Sequence, residues 1–445
     1  MQRFLIGALS VMISGCATYG VIENGSIESA ESTSQSSYSI NQFFGNDSKD
    51  SSILLSFSGG GTRAAAFSYG VLKALRDTSV KADGNQIRLL DEVTSISAVS
   101  GGSFTAAYYG IHGDKTFDTF ESVFLRRNIQ GGLKKTLLNP INWFDSRGRS
   151  ELSIDLYEQQ VFNGATFADM MRPGAPLILI NASDLSKGVR FSFVQEYFDL
   201  LCSELLTFPI ARAVAASSAV PIVFDPIVVQ NHAGCKAKLP DDAEKALEYT
   251  DNRTELEQTI RGLRSYEDKE KHKYAHFVDG GITDNLGLRS IYDIIELGGG
   301  AKRTATKLRA NPVERFVVIS VDAAIPPKKT MDLSNAHPSL VDSALAVSDV
   351  QLNRYNVLTL DTMEHTIKGW ANQLSTPEKR VEPYFIKLSF QDVVDEELRN
   401  KLNAVETSFN LPDSQVDILI QAGQSLLYEN PEFKRLLKDL KAAEK

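Results

Sequence analysis

The sequence predicts an α/β fold built on a mainly parallel sheet with helices on both faces. Three observations carry this prediction. From Ile53 onward, short apolar strand-like runs alternate with segments of helical periodicity. Two of those runs end in glycine-rich turns that lead straight into helix-like stretches. Phe316–Asp322 is an almost unbroken apolar run, the pattern of a parallel strand buried on both faces. The chain has 445 residues, 42% apolar and 23% charged, enough to bury a large core and ordinary for a globular protein.

The elements follow in order. Ile53–Phe57 reads as a buried strand and Ala64–Arg76 as a helix. Leu90–Ile96 reads as a second strand, followed by a helix starting at Gly102–Gly110. Pro176–Asn181 and Arg190–Val194 read as the third and fourth strands. Pro209–Ser218 is a helix stopped by Pro221, and His276–Val278 is an apolar run leading into Asp279. Residues 236–273 differ: half of them are charged, with both signs mixed, as in a solvated helical insertion placed where it could act as a lid. From about Pro326 the chain is mostly helical. Ser339–Leu358, Ser414–Leu427 and Phe433–Ala443 have helical spacing, and Tyr384–Leu388 forms one late strand. The apolar stripes of this region are expected to pack on the core.

Two of the strand ends carry chemistry. Leu54–Phe57 runs into Ser58-Gly59-Gly60-Gly61-Thr62-Arg63, where backbone N–H groups lie bare of side chains. Ile96-Ser97-Ala98-Val99 runs into Ser100-Gly101-Gly102-Ser103, where a serine flanked by small residues can project its hydroxyl from a sharp elbow. An anion hole beside a nucleophile is the minimum equipment for acyl transfer. Ser97 and Ser103 compete with Ser100, but only Ser100 has small residues at both −2 and +2. The six histidines, His112, His232, His272, His276, His337 and His365, stand in no recognisable triad context. His276 is close to Asp279 in sequence, but strand alternation puts it on the opposite face. A nucleotide phosphate cradle is discounted, because neither G-x-x-x-x-G-K-[ST] nor G-x-G-x-x-G occurs.

Together with Phe277-Val278-Asp279-Gly280-Gly281 further on, these elements give the chain a plain resemblance to the patatin-like phospholipases. That family orders a glycine-rich loop, a G-x-S-x-G elbow and a D-G-[GA] motif in the same way. The resemblance extends through Asn181-Ala182-Ser183-Asp184-Leu185, Ala215–Pro221 and Asp284-Asn285, covering roughly residues 50 to 325. It implies a three-layer α/β/α fold with a mainly parallel central sheet and a helical C-terminal extension. It also implies a lipid acyl hydrolase of the phospholipase A or lysophospholipase type, working through a Ser–Asp dyad and an acyl-enzyme. Ser100 would be the nucleophile, Asp279 the base, and Gly59, Gly60 and Gly61 the oxyanion-hole donors. Arg63 matches the family's arginine after the glycines, to orient the loop or meet phosphate. Ala98 stands where the family has glycine, the smallest available departure. Asp284 is expected to cap a helix. Two alternatives stay open: a non-catalytic lipid-binding or envelope-interaction protein, and a small-ester or thioester hydrolase.

The N-terminus reads as a targeting segment. Arg3, the apolar Phe4–Ile13 and Ile13-Ser14-Gly15-Cys16 resemble a bacterial lipobox, too short to span a bilayer. The resemblance implies a signal peptide over 1–15, acyl chains including palmitate on Cys16, and a lipid-anchored protein of the cell envelope. Ala17 after the cysteine favours the outer membrane. An ordinary signal peptide is the alternative. Residues 16–49, rich in Ser, Asn and Gly, read as a flexible tether, 50–325 as the catalytic domain and 326–445 as the helical region packed on it. In an oxidising compartment Cys202 and Cys235 form either one disulfide or two buried thiols. No metal-binding spacing occurs, so neither metal nor cofactor is expected. The net charge of −9 argues against a nucleic-acid partner, and the family resemblance implies membrane phospholipid or lysophospholipid as substrate.

Overall fold

The structure, a computed structural model, describes residues 19–28, 37–44, 49–82, 85–132, 148–236, 238–249, 254–326 and 335–442. Cys16 and the 1–15 segment lie outside these residues. Ten strands are described: β1 Ser51–Phe57, β2 Ser79–Ala82, β3 Asn85–Arg88, β4 Val93–Val99, β5 Leu177–Asp184, β6 Val189–Ser192, β7 Ile227–Gln230, β8 Tyr274–Asp279, β9 Arg315–Asp322 and β10 Glu382–Ser389. β2 and β3 form a separate antiparallel pair. The others make one sheet in the order β10-β9-β1-β4-β5-β8-β7, with β6 also paired to β5. β10, β9, β1, β4 and β5 are mutually parallel. β6 and β8 run antiparallel to β5.

The parallel centre follows from the sequence. All seven residues of β4 and all eight of β5 are buried, as they must be in a sheet covered on both faces. The Gly61–Asp77 and Gly101–His112 helices pack against each other, and the former also takes the Asp413–Glu429 helix along its length. Gly70 and Gly423 permit that approach: a Cβ at Gly70 would lie 2.2 Å from the Ile420 carbonyl oxygen. The Leu288–Leu297 and Leu340–Leu374 helices cover a second core around Leu54, Phe316, Met363 and Trp370. The helical periodicity of Ser339–Leu358 marked only the first part of this last helix, which runs for 35 residues.

The C-terminal region does more than pack on the catalytic body. β10 extends the sheet beside β9, and the Ser408 carbonyl accepts a hydrogen bond from Thr62 N at 2.9 Å, beside the glycine loop. The charged insertion is helical over Asp241–Tyr249 and Glu255–Arg264. Its described ion pairs with the rest of the protein run to Arg190, Arg289, Arg303 and Lys307.

The expected tether is not free along its described length. The Arg212 guanidinium meets Glu23 at 2.8 Å, Asn24 is buried against Ser203 and Gln230, and Ile27 N donates to the Cys202 carbonyl. Tyr38 is fully buried, and its hydroxyl bonds both the N–H and the carbonyl of Ile178 in β5. Composition hid this docking, because one aromatic and two polar side chains with long-range partners carry it rather than a periodic apolar face. Cys202 and Cys235 are joined in a disulfide with Cα atoms 5.4 Å apart, next to the docked segment.

Candidate active site

Strand register brings the two motifs together. In β4–β5 pairing Val99 stands opposite Asn181, and in β5–β8 pairing Ala182 stands opposite Asp279. Ser100, one residue past Val99, and Asp279 therefore lie at nearly the same height on either side of β5. Two strand spacings of about 4.8 Å separate their backbones. The side chains reach into that gap, and the Ser100 side chain lies near enough to the Asp279 carboxylate to favour its ionised form. Parallel β4 ends at this height, whereas β8 reaches it only by running antiparallel to β5.

Ser100 has φ 50° and ψ −120°, a left-handed conformation that costs a non-glycine residue on the order of 1–3 kcal/mol. The surroundings hold it there. Ser100 N donates to Ser217 Oγ at 2.9 Å, and Ser217 Oγ donates to the Asn181 carbonyl at 2.6 Å. Ser103 Oγ also lies 2.9 Å from Ser217 Oγ. The Asn181 amide in turn bonds Ser97 Oγ, the Ala98 carbonyl and Ser192 Oγ. On the other side, Asp279 N donates to the Ala219 carbonyl and Gly280 N to the Ser217 carbonyl. One buried serine, Ser217, thus braces both halves of the pair. Sequence reasoning assigned it no role, although it sits in a matching stretch, because a serine hydroxyl carries no signal of its partners.

The glycines allow one close approach. A Cβ on Gly101 would lie 2.1 Å from the Gly61 carbonyl oxygen, and one on Gly102 2.7 Å from the Phe57 Cβ. The elbow helix therefore packs directly on the glycine loop. Gly101→Ala is expected to lower stability by about 1–3 kcal/mol through overpacking against backbone. Thermal melting checks this, and an unchanged midpoint would mean that the loop yields freely.

The glycine loop differs from expectation at its first residue. Gly59 N is engaged, donating to the Asn285 carbonyl at 3.0 Å. Arg63 is buried, its Nε donating to the Ala323 carbonyl at 2.9 Å and its Nη1 to the Val405 carbonyl at 2.8 Å. Burial lowers its pKa to about 10, opposed by the nearby Asp322 and Asp349 carboxylates. Of the two roles expected for Arg63, orienting the loop fits and meeting a phosphate does not. The Asp284 carboxylate accepts from Ser290 N and Oγ in the first turn of the Leu288–Leu297 helix, as a cap does.

Burial raises the Asp279 carboxyl to about 6, opposed by the Gly281 N–H and by the nearby Ser100 side chain. The Gly281 N–H lies 2.7 Å from Asp279 Oδ1. No group of three or more metal-ligating side chains is assembled among the described residues.

The site is thus a strained serine elbow packed on a glycine loop at one end of an α/β sheet, with a buried carboxylate across β5. The patatin-like phospholipase family model matches residues 55–292, and the chain belongs to that family. Among curated proteins, none matches the chain. Among solved structures, human GIVD cytosolic phospholipase A2 is similar, with a TM-score of 0.45 and 13% identity over 88% of this chain and 60% of its own. The chain thus spans about three-fifths of that protein's length. VipD from Legionella pneumophila is similar at a TM-score of 0.34 and 13% identity, over 88% of this chain and 67% of its own. ExoU from Pseudomonas aeruginosa is similar at a TM-score of 0.22 and 13% identity, over 96% and 98%.

Proposed function

We propose that this protein hydrolyses carboxylic esters of membrane lipids, as a phospholipase A or lysophospholipase. Family membership supports a lipid-ester hydrolase. The observation that carries the mechanism is the strained Ser100 elbow set across β5 from a buried Asp279 of raised pKa. Ser100 Oγ attacks the ester carbonyl while Asp279 takes its proton. The N–H groups of Gly60 and Gly61, rather than that of Gly59, stabilise the oxyanion. Collapse of the tetrahedral intermediate breaks the ester C–O bond, and Asp279 returns the proton to the departing alkoxide. A water, deprotonated by Asp279, then releases the fatty acid and restores Ser100.

The proposal includes an envelope lipoprotein anchored through acylated Cys16. Tyr19, the first described residue, is three residues from Cys16, and the segment after it is docked on Arg212 and Gln230. Three residues reach at most about 11 Å. A lipid on Cys16 would thus hold the body against the bilayer surface and raise the local substrate concentration.

Fatty-acid release by the full chain tests this reading, with phospholipid micelles, lysophospholipid micelles and a short p-nitrophenyl ester compared at equal ester concentration. The lipids are expected to exceed the short ester in kcat/KM by at least about tenfold, since alkyl contacts add about 0.8 kcal/mol per buried methylene. Preference for the short ester would overturn the lipid assignment. No release from any of the three would leave a lipid-binding protein.

A further inference from the structure

A cavity of about 380 Å³ lies at the opposite end of the sheet from the Ser100–Asp279 pair. Its walls include Ser52 and Leu54 at the start of β1 and Leu177 at the start of β5, whereas the glycine loop follows the end of β1. From Leu54 to Ser58 alone the strand rises about 13 Å. The volume falls within the range of small-ligand sites, about 300–1,000 Å³.

The chemistry of the lining is one-sided. Leu54, Ile291, Ile295, Phe316 and Leu374 make an apolar interior, and Phe44 of the docked N-terminal segment closes one wall. At the rim stand Lys302 and Arg309, both exposed, and among the described residues no Asp or Glu lines the cavity. In a chain of net charge −9, an acid-free mouth with two cations is a local reversal of sign. Arg303 and Lys307 nearby are both paired with Asp242. Lys302 and Arg309 have no such ion pair among the described residues.

We propose that this cavity binds the alkyl chain of a long-chain fatty acid, with the carboxylate held by Lys302 and Arg309. A hydrocarbon interior needs an apolar tail, and two exposed cations at its mouth select an anionic head over a neutral or cationic one. The ligand is of the same chemical class as the product of the proposed hydrolysis. The site is separate from the elbow, so a released fatty acid has a second place to bind on the same molecule.

Equilibrium dialysis of radiolabelled palmitate against the full chain carrying Ser100→Ala tests the proposal. Binding is read there without turnover, so failure leaves the hydrolase reading untouched. Saturable binding of one palmitate is expected. Ala305→Trp, which fills the lining, and the surface pair Lys302→Glu with Arg309→Glu are each expected to weaken it at least tenfold. Hexadecyltrimethylammonium, with the same tail and opposite charge, is expected to bind at least tenfold more weakly than palmitate. Absence of saturable binding, equal binding of the cationic amphiphile, or palmitate binding unchanged by the charge reversal would each overturn the proposal. The charge-reversal pair lies on the surface and keeps the test valid if the tryptophan variant fails to fold.

Discussion

Replacing Asp279 by Asn is expected to abolish ester hydrolysis while making the protein more stable at neutral pH. The rate should fall by at least about 10⁴-fold, the scale seen when one member of a nucleophile–base unit is removed. Ser100→Ala should fall by as much, and the double variant no further, because the two groups act as one. The stability change has the opposite sign for a definite reason. Burial holds the Asp279 carboxyl at about 6, against an ordinary value of about 3.9. Between those values the folded protein binds more protons than the unfolded chain, so this group's contribution to stability falls as pH rises. The penalty for keeping the carboxylate ionised is fully present above about pH 6 and disappears below about pH 4. Two pKa units at 1.36 kcal/mol each set an upper bound of about 3 kcal/mol on what Asn recovers. The variant should therefore melt above the parent at pH 8, with the gap closing towards pH 4. The parent's rate should rise through about pH 6 as Asp279 ionises. Hydrolysis that survives in the Asn variant would return the base to another group, and a rate without inflection near pH 6 would separate the titration of Asp279 from the chemistry.

The candidate site was legible because each of its motifs is local. A strand end followed by glycines and a serine sets its own backbone geometry, so Ser100 stands out from its flanking residues, whereas Asp279 was named through the family resemblance. What joins them was not legible. The Ser217 brace spans 117 residues to Ser100 and 36 to Asn181, and polar side chains of this kind leave no periodic trace. The engagement of Gly59 by Asn285 also depends on a distant loop, so three equivalent-looking glycines proved unequal. In the fold, apolar runs located β1, β4, β5 and β9 to within a few residues. They carry no direction, however, and β8 turned out antiparallel. The Arg190–Val194 run marked β6 as well, but no reading marked the short β7. The docking of Glu23, Asn24 and Tyr38 was missed for a related reason: a Ser- and Asn-rich segment looks solvated until its few long-range partners are known.

The largest loss of stability is expected at Asp293, a residue with no motif around it. Asp293 is fully buried in the Leu288–Leu297 helix and holds Arg190 of β6 through two bonds, Nε at 2.6 Å and Nη2 at 2.9 Å. Arg190 also donates to Glu255 at 2.5 Å and to Thr259 at 3.1 Å, and Glu255 is shared with Arg289 and Tyr355. This cluster joins four elements: β6, the charged insertion, the Leu288–Leu297 helix and the long Leu340–Leu374 helix. Burial raises the Asp293 carboxyl, opposed by Arg190. Assembling such a pair gains little against its desolvation, but breaking it leaves a buried guanidinium short of its bidentate partner. Asp293→Ala is thus expected to cost about 3–5 kcal/mol in urea unfolding. Arg190→Met combined with Asp293→Leu should recover most of that loss, because it removes both charges and keeps the volume. A single variant as stable as the parent would show that Glu255 alone satisfies Arg190, and that the insertion rather than the helix anchors β6. Because β6 pairs with Asn181–Asp184, the stretch of β5 that spans Ser100 and Asp279, loosening this cluster should reduce hydrolysis at temperatures where the fold still holds.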